Sequence, residues 1–144
     1  MTTIHPTHTC FDDALGFLEQ LADAGVHIAG IRQHTVVHGI CLAPDGELFA
    51  HAWVEHDELD AVWQGGIIDG QHVWHTMARP RFYASMRVME STKYTVDEAV
   101  AHNYRTGTYG PWVEAYAKLC GRGNRIHGAV TCDNPSTATT KTES

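Results

Sequence analysis

The chain has 144 residues, 43% hydrophobic and 19% charged, and 17 acidic against 10 basic residues give it a formal net charge of -7. That length suits one domain with its own core, and so few Lys and Arg offer no basic face for nucleic acid or an anionic membrane. No basic start with a following apolar run opens the chain, and no later stretch is apolar for long enough to span a bilayer, so a cytosolic protein is expected.

Residues 1–8 read as a loose lead-in, His5-Pro6 discouraging helix. Thr9 followed three residues later by Asp12 resembles a capping box. Phe11, Ala14, Leu15, Leu18, Leu21 and Ala22 then recur at helical spacing up to Gly25. A helix is therefore expected from about Cys10 to Ala24. It would hold the Cys10 thiol in its first turn, where unpaired backbone N–H groups and the helix dipole favour thiolate, with Asp12 and Asp13 opposing them. The plainer role for Cys10 is a small residue packed at a helix start.

Gly25 to Gly30 forms a connector, and Val36 to Leu42 is apolar enough for a buried strand. Pro44-Asp45-Gly46 signals a turn, after which Glu47 to Glu55 returns as the antiparallel partner. Within it runs Phe49-Ala50-His51-Ala52-Trp53-Val54-Glu55. Alternation puts His51, Trp53 and Glu55 on one face, and the flanking alanines leave room around the imidazole. After a polar turn from His56 to Asp60, Val62-Trp63 and Ile67-Ile68-Asp69 supply a third strand, with Gly65-Gly66 marking a bulge or a close backbone approach. Val73-Trp74 and Phe82 to Met89 are read as further strands, broken at Arg79-Pro80-Arg81.

Thr95-Val96-Asp97-Glu98 is a second capping box, opening a helix that ends at about Thr106 before Gly107. Gly110-Pro111 begins another, with Trp112, Tyr116 and Leu119 at helical spacing. From Thr131 onward Ser, Thr, Asn and Pro dominate. The expectation is a single α+β domain over residues 1–130, an N-terminal helix packed on an antiparallel sheet with C-terminal helices, followed by a disordered tail over 131–144.

The four cysteines, Cys10, Cys41, Cys120 and Cys132, form no Cys-x-x-Cys pair, so neither a zinc ribbon nor a disulfide framework is indicated. Nucleophilic cysteine chemistry needs a thiol at a helix start, an imidazole to take its proton and a polar group to fix that imidazole. Cys10, His51 and Asp69 offer these in chain order.

Residues 9 to 70, with Cys10 opening an amphipathic helix and His51 inside a His-Ala-Trp strand, resemble the core of the transglutaminase-like (papain-like) cysteine enzymes. They are especially similar to the leader peptidases of lasso-peptide maturation. The resemblance implies Cys10 as nucleophile, His51 as general base and Asp69 as orienting acid. The His51 to Asp69 interval is longer than in those peptidases, which brings in Asp57 and Asp60 as weaker candidates. The upstream segment that often helps bind the oxyanion is nearly absent, and residues 72–130 carry no part of the likeness. It further implies an acyl-enzyme formed on a peptide or protein amide, resolved by water in proteolysis or deamidation or by an amine in crosslinking, with no cofactor and no metal.

Trp53 is a candidate to line the acyl pocket, or else plain core. Gln33 and Gln64 are candidate second oxyanion donors, or else surface residues. Two other readings stand beside the enzyme. One is a catalytically inactive member of the same fold that binds a protein partner. The other is a metal-binding protein using some of the 11 histidines, although His34 and His38 lie about 13 Å apart on a strand. His72, His75, His102 and His127 read as surface residues.

Overall fold

In the computed structural model, which describes residues 10–112 and 126–127, the helical spacing after Thr9 is realised as α1, Cys10–Asp23. Its inward stripe is Phe11, Ala14, Leu15, Phe17 and Leu18. Burial of each large apolar side chain contributes roughly 2 kcal/mol. The connector holds a one-turn helix, α2 (Ile28–Ile31), whose first turn is capped by His27 Nδ1 accepting the Ala29 N–H.

The expected hairpin forms from β1 (His34–Leu42) and β2 (Leu48–His56), with His38 opposite Ala52 and Gly39 opposite His51. A second hairpin follows, β3 (Ala61–Ile68) and β4 (Gln71–Ala78), joined at Asp69-Gly70. Both turn residues have positive φ, 51° and 79°. A tight turn of that hand matches strand twist and favours Asp-Gly, so Asp69 is claimed by the hairpin. β3 runs continuously through Gly65-Gly66, where other side chains come close to the backbone.

The strand expected over Phe82 to Met89 is a correction. Residues Arg79–Met86 form a helix, α3, with Pro80 in its first turn and Arg87, at φ 52°, ending it. Phe82, Tyr83 and Met86 pack on one apolar cluster, a helical spacing that outweighs local β propensity. The strand begins only afterwards, as β5 (Val88–Thr95), antiparallel to β1. Thr95 then caps α4 (Val96–Thr106): Thr95 Oγ1 accepts the Glu98 N–H and Glu98 Oε1 accepts the Thr95 N–H. Gly107, at φ 75°, closes the helix as expected.

The sheet order β4-β3-β2-β1-β5 is antiparallel throughout, and a two-residue strand, β6 (Ile126–His127), lies parallel to Leu48-Phe49. On one face α1 and α4 pack over Val36, Ile40, Ala52 and Val54. On the other, α3 covers Val37, Cys41, Trp53 and Val62. An N-terminal helix on an antiparallel sheet, with helices following, is the α+β arrangement the sequence implied. Among the described residues no helix is long and apolar enough to cross a membrane. Thr9, most of the helix expected after Gly110-Pro111, Cys120, Cys132 and the tail lie outside the described residues.

Candidate active site

β2 pairs with β3 only from Val54↔Trp63 to His56↔Ala61, and with β6 only at Leu48 and Phe49. Between these contacts, among the described residues, the Ala50–Trp53 stretch of β2 has no strand on that side. The first turn of α1 reaches this opening, because Phe11 and Ala14 seat the helix in the core formed with Ala50 and Ala52. There the Cys10 thiol accepts a hydrogen bond from the Ala52 N–H, the residue next to His51.

The backbone N–H groups of Cys10 and Phe11 favour the thiolate, as a helix start should. Burial outweighs them. It pushes the Cys10 thiol up to about 11, and the carboxylate of Asp13, one turn along α1, adds to the rise. The thiolate expected from helix position alone is therefore overridden, and Cys10 rests as a neutral thiol at pH 7.

His51 stands on the opposite sheet face, its ring among those of Phe49, Trp53 and Phe82 at 5.7 to 6.3 Å. Its Nε2–H donates to Gln64 Oε1 of β3 at 2.8 Å. This bond fixes the tautomer, leaving Nδ1 as the basic nitrogen. Burial lowers the His51 pKa below the ordinary histidine value, opposed by the Gln64 bond and by the charge of Asp13. The imidazole is thus neutral at pH 7, the state a general base requires. Among the described residues no hydrogen bond joins Cys10 to His51. They approach the opening from opposite faces, with Ala52 between them.

Comparisons with protein-family models, curated proteins and solved structures gave no match.

The structure distributes the other sequence candidates as follows. Asp69 is exposed in the β3–β4 turn, roughly 17 Å along the strand from Gln64 at the usual rise per residue. The group hydrogen-bonded to His51 is Gln64. Asp57 accepts from Thr35 Oγ1 at 2.8 Å, and Asp60 pairs with Arg79 at 3.1 Å. Gln33 is exposed in the turn before β1. Trp53 is fully buried, with Gly39 beneath its ring, Phe82 against it and its Nε1–H donated to Glu55 at 2.9 Å. An indole with no exposed surface lines no pocket, so Trp53 belongs to the core.

Glu55 is also buried, accepting from Trp53, Tyr83 and Lys93 and lying 3.5 Å from Arg79. This network ties α3 and β5 to β2 behind His51.

Gln64, expected as an oxyanion donor or a surface residue, and Asp13, expected only as a charge at the helix start, have roles that the sequence did not indicate. Gln64 shares the His51 face because β3 alternates from Trp63, which stacks on Phe17 of α1. Asp13 accepts from His72 Nε2 of β4 at 3.0 Å, passing over Gly65. The sequence signal for the close approach of Asp13 was the Gly65-Gly66 pair. Beside them a groove of about 450 Å³ runs along α1, lined by Asp12, Asp13, Glu19, His72, Trp74 and Tyr109 among others. Among the described residues no group of three or more His, Cys, Asp or Glu is placed to hold a metal ion.

Proposed function

We propose that this protein is a cysteine-dependent acyl-transfer enzyme of the transglutaminase-like kind. It acts as a hydrolase or transferase on a peptide or protein amide. Cys10 is the nucleophile, His51 the general base, and Gln64, in place of Asp69, the acceptor that holds the imidazole. The observation that carries this reading is the 2.8 Å bond from His51 Nε2 to Gln64 Oε1, made beside the opening where Ala52 N–H meets the Cys10 thiol.

In this mechanism Cys10 Sγ attacks the carbonyl carbon as its proton passes to His51 Nδ1 through one water at the opening. The carbonyl π pair moves to oxygen, and the N–H groups at the start of α1 are the available donors for it. Collapse of the adduct breaks the C–N bond, and the imidazolium gives its proton to the leaving amine. Water or a second amine then attacks the thioester with His51 again as base, releasing the Cys10 thiol. Gln64 is a neutral acceptor, and a hydrogen bond to it supports an imidazolium less than a carboxylate would. The Asp13 charge supplies part of that support.

A second reading has a specific observation in its favour. The resting thiol is raised to about 11 and makes no bond to His51 among the described residues, as suits a protein-binding module that has kept the fold without the chemistry.

The deciding experiment is exposure to p-nitrophenyl acetate with peptide mass spectrometry. The enzyme reading expects an acetyl group on Cys10 in preference to Cys41, Cys120 and Cys132, formed on the order of 100-fold more slowly in His51→Ala. No preference for Cys10, or no dependence on His51, removes the enzyme reading and leaves the binding module.

A further inference from the structure

Cys10 and Gln64 lie on different elements, so acyl transfer needs something that fixes one against the other. Gly65, the residue after Gln64, lies where α1 crosses β3. A Cβ at Gly65 would stand 2.5 Å from Asp13 Oδ2 and 2.8 Å from His72 Nε2. The missing side chain is the space through which Asp13 Oδ1 accepts from His72 Nε2 at 3.0 Å. The Asp13 side chain is 11% exposed and that of His72 28%, so the carboxylate is largely covered while the imidazole stays open to the groove along α1. The bond is braced. The His72 ring packs edge-on against Trp74, and Trp74 packs on Phe17 and donates to Gln20 Oε1 at 3.3 Å. β4 therefore grips α1 at Asp13, Phe17 and Gln20, which lie on one helix face.

We infer that Asp13 and His72 are positioning residues for acyl transfer: their bond over Gly65 holds the helix start carrying Cys10 at a set depth against the strand carrying Gln64. This rests on the acyl-transfer reading. Asp13 sits one turn from Cys10, and Gly65 is covalently next to the residue that orients His51. A shift of α1 on β3 therefore changes the distance between nucleophile and base directly. Displacements of about 1 Å between reacting groups cost up to on the order of 100-fold in rate.

The test is the rate of acetyl-Cys10 formation from p-nitrophenyl acetate in a double-mutant cycle. The set comprises wild type, His51→Ala, His72→Ala and the double variant, with Asp13→Ala, Asp13→Asn and Gly65→Ala beside them, each checked for folding by circular dichroism. His72→Ala, Asp13→Ala and Gly65→Ala should each lower the rate about tenfold or more. The factor lost on adding His51→Ala should shrink toward one in the His72→Ala background, because a displaced base has little left to contribute. Asp13→Asn keeps an acceptor oxygen for His72 but loses the charge that supports the imidazolium, so it should fall between wild type and Asp13→Ala, which loses both. A purely structural bond would lower both backgrounds alike, so an unchanged His51 factor overturns the inference while leaving His51 as base. Absence of a His51 effect in wild type as well overturns the acyl-transfer reading, and the positioning role with it. Should Gly65→Ala not fold, the Asp13→Asn against Asp13→Ala comparison still decides.

Discussion

His38 offers a quantitative test of the packing behind the site. Its side chain is 1% exposed and neither ring nitrogen has a hydrogen-bond partner among the described residues. Phe11, Tyr94 and Trp112 surround it at ring distances of 4.6 to 5.2 Å. Gly110 closes the box, since a Cβ there would lie 2.6 Å from His38 Cε1. Burial pushes the His38 pKa down to about 3, and the charge acting on it is that of another histidine, His102 of α4. Because this pKa lies below the unfolded value of 6.5, the unfolded chain binds more protons between pH 6.5 and 3. Stability carried by neutral His38 is complete above pH 6.5 and is lost as pH falls through that window. At about 1.4 kcal/mol per pH unit, the loss reaches roughly 2 to 3 kcal/mol by pH 4.5. His38→Leu removes the titration. Its melting temperature relative to wild type should therefore rise between pH 7 and pH 4.5 by roughly 5 to 10 °C, given about 2 to 4 °C per kcal/mol for a chain of this size. The assay is thermal unfolding followed by circular dichroism at both pH values. The difference between pH values isolates the proton effect from any change in packing. An identical melting difference at pH 7 and 4.5 would refute the assignment of His38 as a neutral, unpaired core imidazole.

Three other expectations follow from particular contacts. Gln64→Ala frees the His51 ring and should slow acetyl-Cys10 formation about tenfold or more, whereas Gln64→Glu, which keeps an acceptor oxygen, should retain activity; equal loss in both would show that the bond does not orient the base. Glu55→Ala leaves Arg79 and Lys93 without their buried carboxylate. It should cost roughly 3 kcal/mol in urea unfolding at pH 7, the low end of the usual range because Arg79 keeps Asp60; a loss under about 1 kcal/mol would contradict the network. Thr95→Ala removes one half of the α4 capping box and should cost about 1 kcal/mol in the same assay, while no measurable loss would mean the cap does not hold the helix.

Much of this architecture is legible in the residues because it is encoded locally. The Phe11 to Leu18 spacing, the Pro44-Asp45-Gly46 turn and the Thr95 to Glu98 box each report on contacts within a few positions, and each element appears close to where expected. The Arg79–Met86 helix was hidden because Phe82 and Tyr83 suit a strand as well as a helix, and only packing against Trp53 and Val37 decides between them. The same contact buries Trp53, so misreading that segment also left Trp53 open as a pocket residue.

At the site, Cys10 and His51 carry their chemistry in their own side chains and can be picked out one at a time. The acceptor on His51 depends on the register between β2 and β3, which no single residue announces, so an acid attracts attention before an amide does. Asp69 sits in an Asp-Gly pair, and that pair is a hairpin signal in its own right. The charge state of Cys10 was equally out of reach. Helix position favours thiolate, but the depth to which α1 sinks beside Ala52 reverses the balance.

The central claim is that His51 serves as base to a thiol that rests protonated, and the pH dependence of acetyl-Cys10 formation from p-nitrophenyl acetate tests it most directly. With His51 as base, its pKa held below the ordinary histidine value, the rate should rise through the acidic range and level off above about pH 6.5. His51→Ala should abolish that plateau. A rate that instead climbs about tenfold per pH unit from 7 toward the thiol's own pKa of about 11 would show Cys10 reacting unaided, and would contradict the account.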